Sequence, residues 1–120
     1  MFRSVLLIDP DERSAKLARV VLEAAGWVVM YVPDLDRARQ LLDHMRPRLI
    51  ATELVPWPGA LPAIRELARV AGRPVVAVTA IAGPEIALRA VGAGCAGVIH
   101  KPIAVATFAA ELDAYLGDPP

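Results

Sequence analysis

Five short, nearly unbroken apolar runs, each followed by a stretch with helical spacing, constrain this chain more than any other feature. The runs are RSVLLID (residues 3–9), WVVMYV (27–32), RLIATEL (48–54), PVVAVTA (74–80) and GVIHKPI (97–103). A strand with one wet face alternates polar and apolar residues, whereas a strand covered on both faces does not. These runs do not alternate, so each reads as a strand buried on both sides. Strands alternating with helices imply a parallel sheet with helices packed on both faces.

The intervening segments carry the helical signals. Leu17, Val20, Val21 and Ala24 fall at i, i+3, i+4 and i+7, which predicts an inward stripe on the first helix. Asp11 and Glu12 suit its positive N-terminal end, and Gly26 is placed to stop it. Asp34 is a cap for a second helix with Ala38, Leu41, Leu42 and Met45 inward and Arg37, Arg39, Asp43 and His44 wet. Pro62 fits the first turn of a third helix facing inward through Ile64, Leu67, Ala68 and Ala71. Pro84 and Glu85 open a fourth, ended by Gly92 and Gly94. The spacing of Phe108, Leu112 and Leu116 predicts a last helix over residues 104–116.

A chain of 120 residues suits one domain, read here as residues 1–117 with 118–120 as a tail or the start of a linker. Apolar residues make up 56% of it, yet no apolar run approaches the ~20 residues of a membrane span. The first apolar run is too short for a signal peptide, and acids follow it at once. The expectation is a soluble cytoplasmic protein that contacts no membrane. Thirteen basic residues balance thirteen acidic ones, which argues against a nucleic-acid surface built on phosphate neutralisation. Cys95 is the single cysteine, so no internal disulfide is possible, and no Cys/His cluster suggests zinc.

In open parallel sheets, ligands sit beyond the carboxyl ends of the strands. There the sequence places Asp9, Pro10 and Asp11 after strand 1, Glu53 after strand 3, Thr79 at strand 4, and Lys101 and Pro102 at strand 5. Acids, a hydroxyl and an ammonium thus converge from four separate segments. Each has a plainer reading. Asp11 reads better as a helix cap than as a pocket acid, and Asp9 better as a pocket acid. Thr79 is equally an ordinary β-branched strand residue. His44 reads as a wet helix face, His100 as structural, Cys95 as a small filler and Trp57 as a loop plug. Leu88 lies off the inward face of the fourth helix. With Ala87, Val91 and Ala106 it could form an apolar patch.

These residues resemble a family, the receiver domains of two-component response regulators, over nearly the whole chain. VLLIDPDERSAKLARVVLEAAGW resembles the family's first strand, acidic pocket and first helix. RPRLIATELVPWPG resembles the phosphoacceptor strand and loop, RPVVAVTA the strand with the switch hydroxyl, and AGCAGVIHKPI the segment with the pocket lysine and proline. The resemblance implies a flavodoxin-like (βα)5 fold with strand order 2-1-3-4-5 and a role in bacterial signal transduction. It also implies phosphoryl transfer to an aspartate from a histidine kinase, assisted by magnesium. Carried over, Asp9 matches the first acid, Thr79 the switch hydroxyl and Lys101 the lysine, with a cis Lys101–Pro102 bond.

Three positions depart from the pattern. Glu53 replaces the acceptor aspartate, Pro10 the second pocket acid, and Val98 the aromatic switch residue. The loop after Glu53 is also shorter than the family's spacing to its glycine. Glutamate carries its carboxylate about one bond length further out, nearer the place of the phosphoryl group and within reach of Lys101. Proline offers magnesium no side-chain oxygen, so Asp9 and Glu53 are the remaining metal candidates and weak binding or none is expected. No cofactor is otherwise called for. The expected function is a degenerate, non-enzymatic receiver that is not phosphorylated and acts by contact with a protein, either a kinase or a downstream effector. Dimerisation through helix 4, strand 5 and helix 5 is a further expectation. The alternative is a working phosphorelay receiver with unusual chemistry. A nucleotide-binding enzyme is disfavoured, because DPDERS after strand 1 is acidic where a phosphate loop would be glycine-rich.

Overall fold

The structure, a computed structural model, describes residues 3–117; the expected tail at 118–120 lies outside the described residues. Strands β1 (Ser4–Ile8), β2 (Val28–Val32), β3 (Leu49–Thr52), β4 (Val75–Thr79) and β5 (Gly97–His100) alternate with helices. These are α1 (Glu12–Ala24), α2 (Leu35–Leu41), α3 (Leu61–Ala71), α4 (Pro84–Gly92) and α5 (Phe108–Asp113), the last running into a 3-10 turn at Ala114–Leu116. The five strands are parallel in the order β2-β1-β3-β4-β5. This is the doubly wound, flavodoxin-like arrangement expected above.

The period-two geometry of strands sends alternate residues to opposite faces. Leu6, Ile8, Ile50, Val75 and Ala77 go to one side, where Ala38 of α2, Ile64 and Leu67 of α3, and Ile86 and Ala90 of α4 cover them. Val5, Leu7, Leu49, Ala51, Val76 and Val78 go to the other, against Ala15, Ala18 and Leu22 of α1 and Phe108 and Leu112 of α5. Every residue of β3 and β4 is buried, which explains their unbroken apolar sequence.

Three helices differ from their sequence expectation. In α1 the buried residues are Ala15, Ala18, Val21 and Leu22, while Leu17 and Val20 are 45% and 57% exposed. Both stripes satisfy the helical period and share Val21. The small-residue side packs because two alanines let the helix axis approach the sheet closely. In α2, Ala38 is buried but the helix ends at Leu41, leaving Met45 exposed beyond it. The last helix begins at Phe108 instead of residue 104. Thr107 and Phe108 both donate their N–H groups to the Ala104 carbonyl, closing a turn before the helix starts. Strand β5 likewise stops at His100, short of the expected residue 103. Gly97 has a specific reason to be bare: the Tyr115 ring lies where its Cβ would stand.

Candidate functional site

The carboxyl ends of β1, β3, β4 and β5 bring Asp9, Glu53, Thr79 and Lys101 into one cluster. Asp9, Glu53 and Thr79 are all buried. The local chain explains each position. Asp9 follows β1 directly, and its backbone N–H donates to the Val32 carbonyl, so it continues the pairing with β2. The Glu53 N–H donates to the Ile8 carbonyl at 2.9 Å, tying the end of β3 to β1. The Lys101 N–H donates to the Thr79 carbonyl at 2.8 Å, holding the lysine at the end of β4.

The side chains form a closed set of contacts. The Lys101 ammonium lies 2.7 Å from Asp9 Oδ2 and 2.9 Å from Glu53 Oε2. Glu53 Oε1 accepts from the Leu54 N–H at 2.7 Å and from the Thr79 hydroxyl. Thr79 Oγ1 in turn accepts from the Ile81 N–H at 3.0 Å. Asp9 Oδ1 accepts from the Asp11 N–H at 2.9 Å. Among the described residues, no buried side-chain nitrogen or oxygen lacks a partner. Burial alone would lower the Lys101 pKa, but the hydrogen bonds and charges of Asp9 and Glu53 together raise it above its ordinary value. The ammonium is therefore fixed between two carboxylates.

Asp11 is not part of this pocket. Its carboxylate caps α1, accepting from the Arg13 and Ser14 N–H groups, and stays exposed at the surface. The positive end of the helix holds it there in preference to the pocket. Pro10 lies at the rim of a neighbouring cleft. Val98 is half-buried and packs into the core between the sheet and α4. The Lys101–Pro102 bond is cis, as are Val55–Pro56 and Trp57–Pro58, which the sequence reading did not single out. Trp57 is half-buried with the Arg89 guanidinium of α4 5.2 Å from its ring centroid, a cation–π contact. His100 is exposed on β5, and Cys95 is buried with its thiol pushed up to about 11 by desolvation, so it is no nucleophile at neutral pH.

Several participants are invisible to motif reading. The donors from Leu54, Asp11 and Ile81 are backbone N–H groups and leave no mark in the sequence. Tyr31 is a fourth, its hydroxyl donating to the Asp9 carbonyl at 2.7 Å across from β2. A hydroxyl-bearing aromatic in an otherwise apolar strand 2 was the one available signal for it.

Comparison with known proteins bears on the family and the fold. The chain is 34% identical to the polar-differentiation response regulators DivK of Brucella ovis and Brucella abortus, over 98% of its own length and 99% of theirs. No family model matches it. Among solved structures, a response regulator from Thermotoga maritima superposes with a TM-score of 0.91 at 17% identity, covering 98% of this chain and 100% of that one. The beryllofluoride-activated receiver domain of RstA from Klebsiella pneumoniae gives 0.86 at 20% identity, over 96% and 99%. The chain belongs to the response-regulator receiver family. It is thus a signalling module of the class that works through kinases and effectors, and no described helix is long and apolar enough to cross a membrane.

Proposed function

We propose that this receiver does not accept a phosphoryl group and signals as a permanently occupied interaction module. One observation carries the reading: both carboxylate oxygens of Glu53 are engaged, one by Lys101 and the other by Thr79 and the Leu54 N–H. In a phosphorylatable receiver the lysine and the switch hydroxyl are the groups that wait for phosphoryl oxygens. Here the extra methylene of Glu53 carries its own carboxylate to them. In-line attack on phosphorus needs a free, aligned carboxylate oxygen, and Glu53 is only 7% exposed.

The magnesium ion that the family implies does not fit this donor set. Magnesium demands near-octahedral oxygen ligands. Pro10 supplies no side-chain oxygen, Asp9 is shared between Lys101 and the Asp11 N–H, and Glu53 has no oxygen to spare. No group of three metal-ligating side chains forms among the described residues. The pocket is read as running without metal or other cofactor.

The partner would be a protein, a kinase or a downstream effector, or a second copy of this chain. Support for a docking face comes from α4 and the segment after β5, where Leu88, Val91 and Val105 are 77%, 53% and 62% exposed. Val98 fills the core in place of a swinging aromatic, so this face would not be remodelled by a ring moving in and out.

The test is direct. Incubation with acetyl phosphate and magnesium should leave the intact mass unchanged, and Trp57 fluorescence should not respond to magnesium followed by beryllofluoride. Trp57 is the right reporter because it sits four residues beyond Glu53 in the same loop. A phosphoryl adduct on Glu53, or a saturable fluorescence change in both steps, would restore the alternative of a working phosphorelay receiver.

A further inference from the structure

A second feature adjoins the Glu53 cluster and shares Glu53 with it as a wall. A cleft of about 440 Å³ opens at the carboxyl ends of β1, β2 and β3 on the α2–α3 side of the sheet. That volume falls in the range of roughly 300–1,000 Å³ typical of small-molecule sites. The position is also the one where an open parallel sheet in this strand order binds ligands, because the order in which strands are added reverses between β1 and β3 there.

The lining has a definite chemistry. Pro10, Pro33 and Pro56 form walls without a single N–H donor. Leu35 and Ala63 add hydrocarbon, and no lysine or arginine lines the cleft. The charged groups are all acids: Asp34, Asp36 and Glu53. The start of α2 offers an anion little, since the Asp34 carboxylate already occupies it by accepting from the Arg37 N–H at 2.8 Å. Arg37 offsets Asp34 from outside the cleft at 3.7 Å, whereas Asp36 makes no ion pair among the described residues. Glu53 turns its oxygens to Lys101 and Thr79, so it closes the cleft as a wall.

We propose that this cleft binds a small organic cation with an apolar body, an alkyl- or arylalkyl-ammonium or guanidinium. Its hydrocarbon would lie against the three prolines, and its charged head would face Asp36 and Asp34. An anion of the same shape meets carboxylates and no lysine or arginine, which is the physical basis of the selectivity. The inference rests on the reading of Glu53 as permanently engaged, because a freed Glu53 would change that wall.

The test is amide chemical-shift mapping on the isotope-labelled full chain, with phenethylammonium as the cation probe and phenylpropionate as its anionic counterpart. Phenethylammonium should give saturable shifts confined to residues 34–36 and 59–63, and phenylpropionate should give none. Asp36→Asn should weaken binding about fivefold, the scale of one exposed charge contact. Ala63→Leu, on the exposed side of α3, should fill the cleft and abolish binding while leaving the rest of the spectrum in place. Equal binding of the two probes, no binding of the cation, or undiminished binding to a folded Ala63→Leu variant would overturn the proposal. So would binding of arginine only when presented in a peptide, since the occupant would then be a protein segment. Beryllofluoride added to the same sample separates the two readings. Shifts at Thr79, Ile81 and Lys101 would sink the engaged-Glu53 reading, whereas the cleft's own result is read at different residues.

Discussion

One methylene separates an aspartate from a glutamate, and at position 53 it decides which groups the carboxylate can touch. Glu53 reaches Lys101 at 2.9 Å and the Thr79 hydroxyl while its own chain stays tied to β1. Shortening it withdraws the carboxylate from both, and restoring an acid at position 10 returns a magnesium ligand. The double variant Glu53→Asp with Pro10→Asp should therefore gain a magnesium-dependent Trp57 response to beryllofluoride, and neither single variant should match it. Lys101→Met would leave two buried carboxylates without their cation. Its expected cost is about 3–5 kcal/mol in denaturant unfolding. The pH dependence follows from the raised Lys101 pKa. A group whose folded value is raised contributes fully below its unfolded value and loses that contribution as pH climbs through the folded one. The stability gap between wild type and Lys101→Met should thus persist through neutral and mildly alkaline pH. It should narrow only above about 10.5, the ordinary lysine value.

Helix α1 shows what periodicity leaves open at the scale of an element. Leu17 and Leu22 are both leucines on one amphipathic helix, yet Leu22 is fully buried and Leu17 is 45% exposed. Leu22→Ala should lower stability by about 2–5 kcal/mol, the cost of lost burial plus a cavity. Leu17→Ala should stay within about 0.5 kcal/mol, as surface changes do. A urea unfolding series on the two variants checks this, and equal losses would mean that α1 packs through the other stripe. The strands were easier to read. Their burial on both faces suppresses alternation entirely, and the five runs match the five strands with ends moved by a few residues.

For the whole molecule, the exposed apolar side chains mark the surface where a partner would dock. The radius of gyration is 13.0 Å, that of a compact chain of this length. Among the described residues, Leu88 is the most exposed of the large apolar side chains, and it shares the outer side of α4 with Val91. If copies of this chain associate there, sedimentation at rising concentration should show a dimer for wild type and a monomer for Leu88→Glu. A dimer that survives the substitution would move the interface elsewhere.

The sequence by itself determined the class of fold, the convergence of Asp9, Glu53, Thr79 and Lys101, and the departures at Glu53, Pro10 and Val98. The first two are matters of order along the chain: unbroken apolar runs force double-sided burial, and strand ends in a parallel sheet meet at one edge; the departures stand out only against the family that the chain resembles. Only the tertiary structure decided the rest. It chose the alanine side of α1, because close approach to a sheet is a three-dimensional constraint that two equivalent stripes satisfy equally in one dimension. It joined Tyr31 to Asp9, since hydrogen-bond partners far apart in sequence carry no mark of each other. It also aligned three prolines from three separate turns into one cleft wall, and no spacing along the chain encodes that.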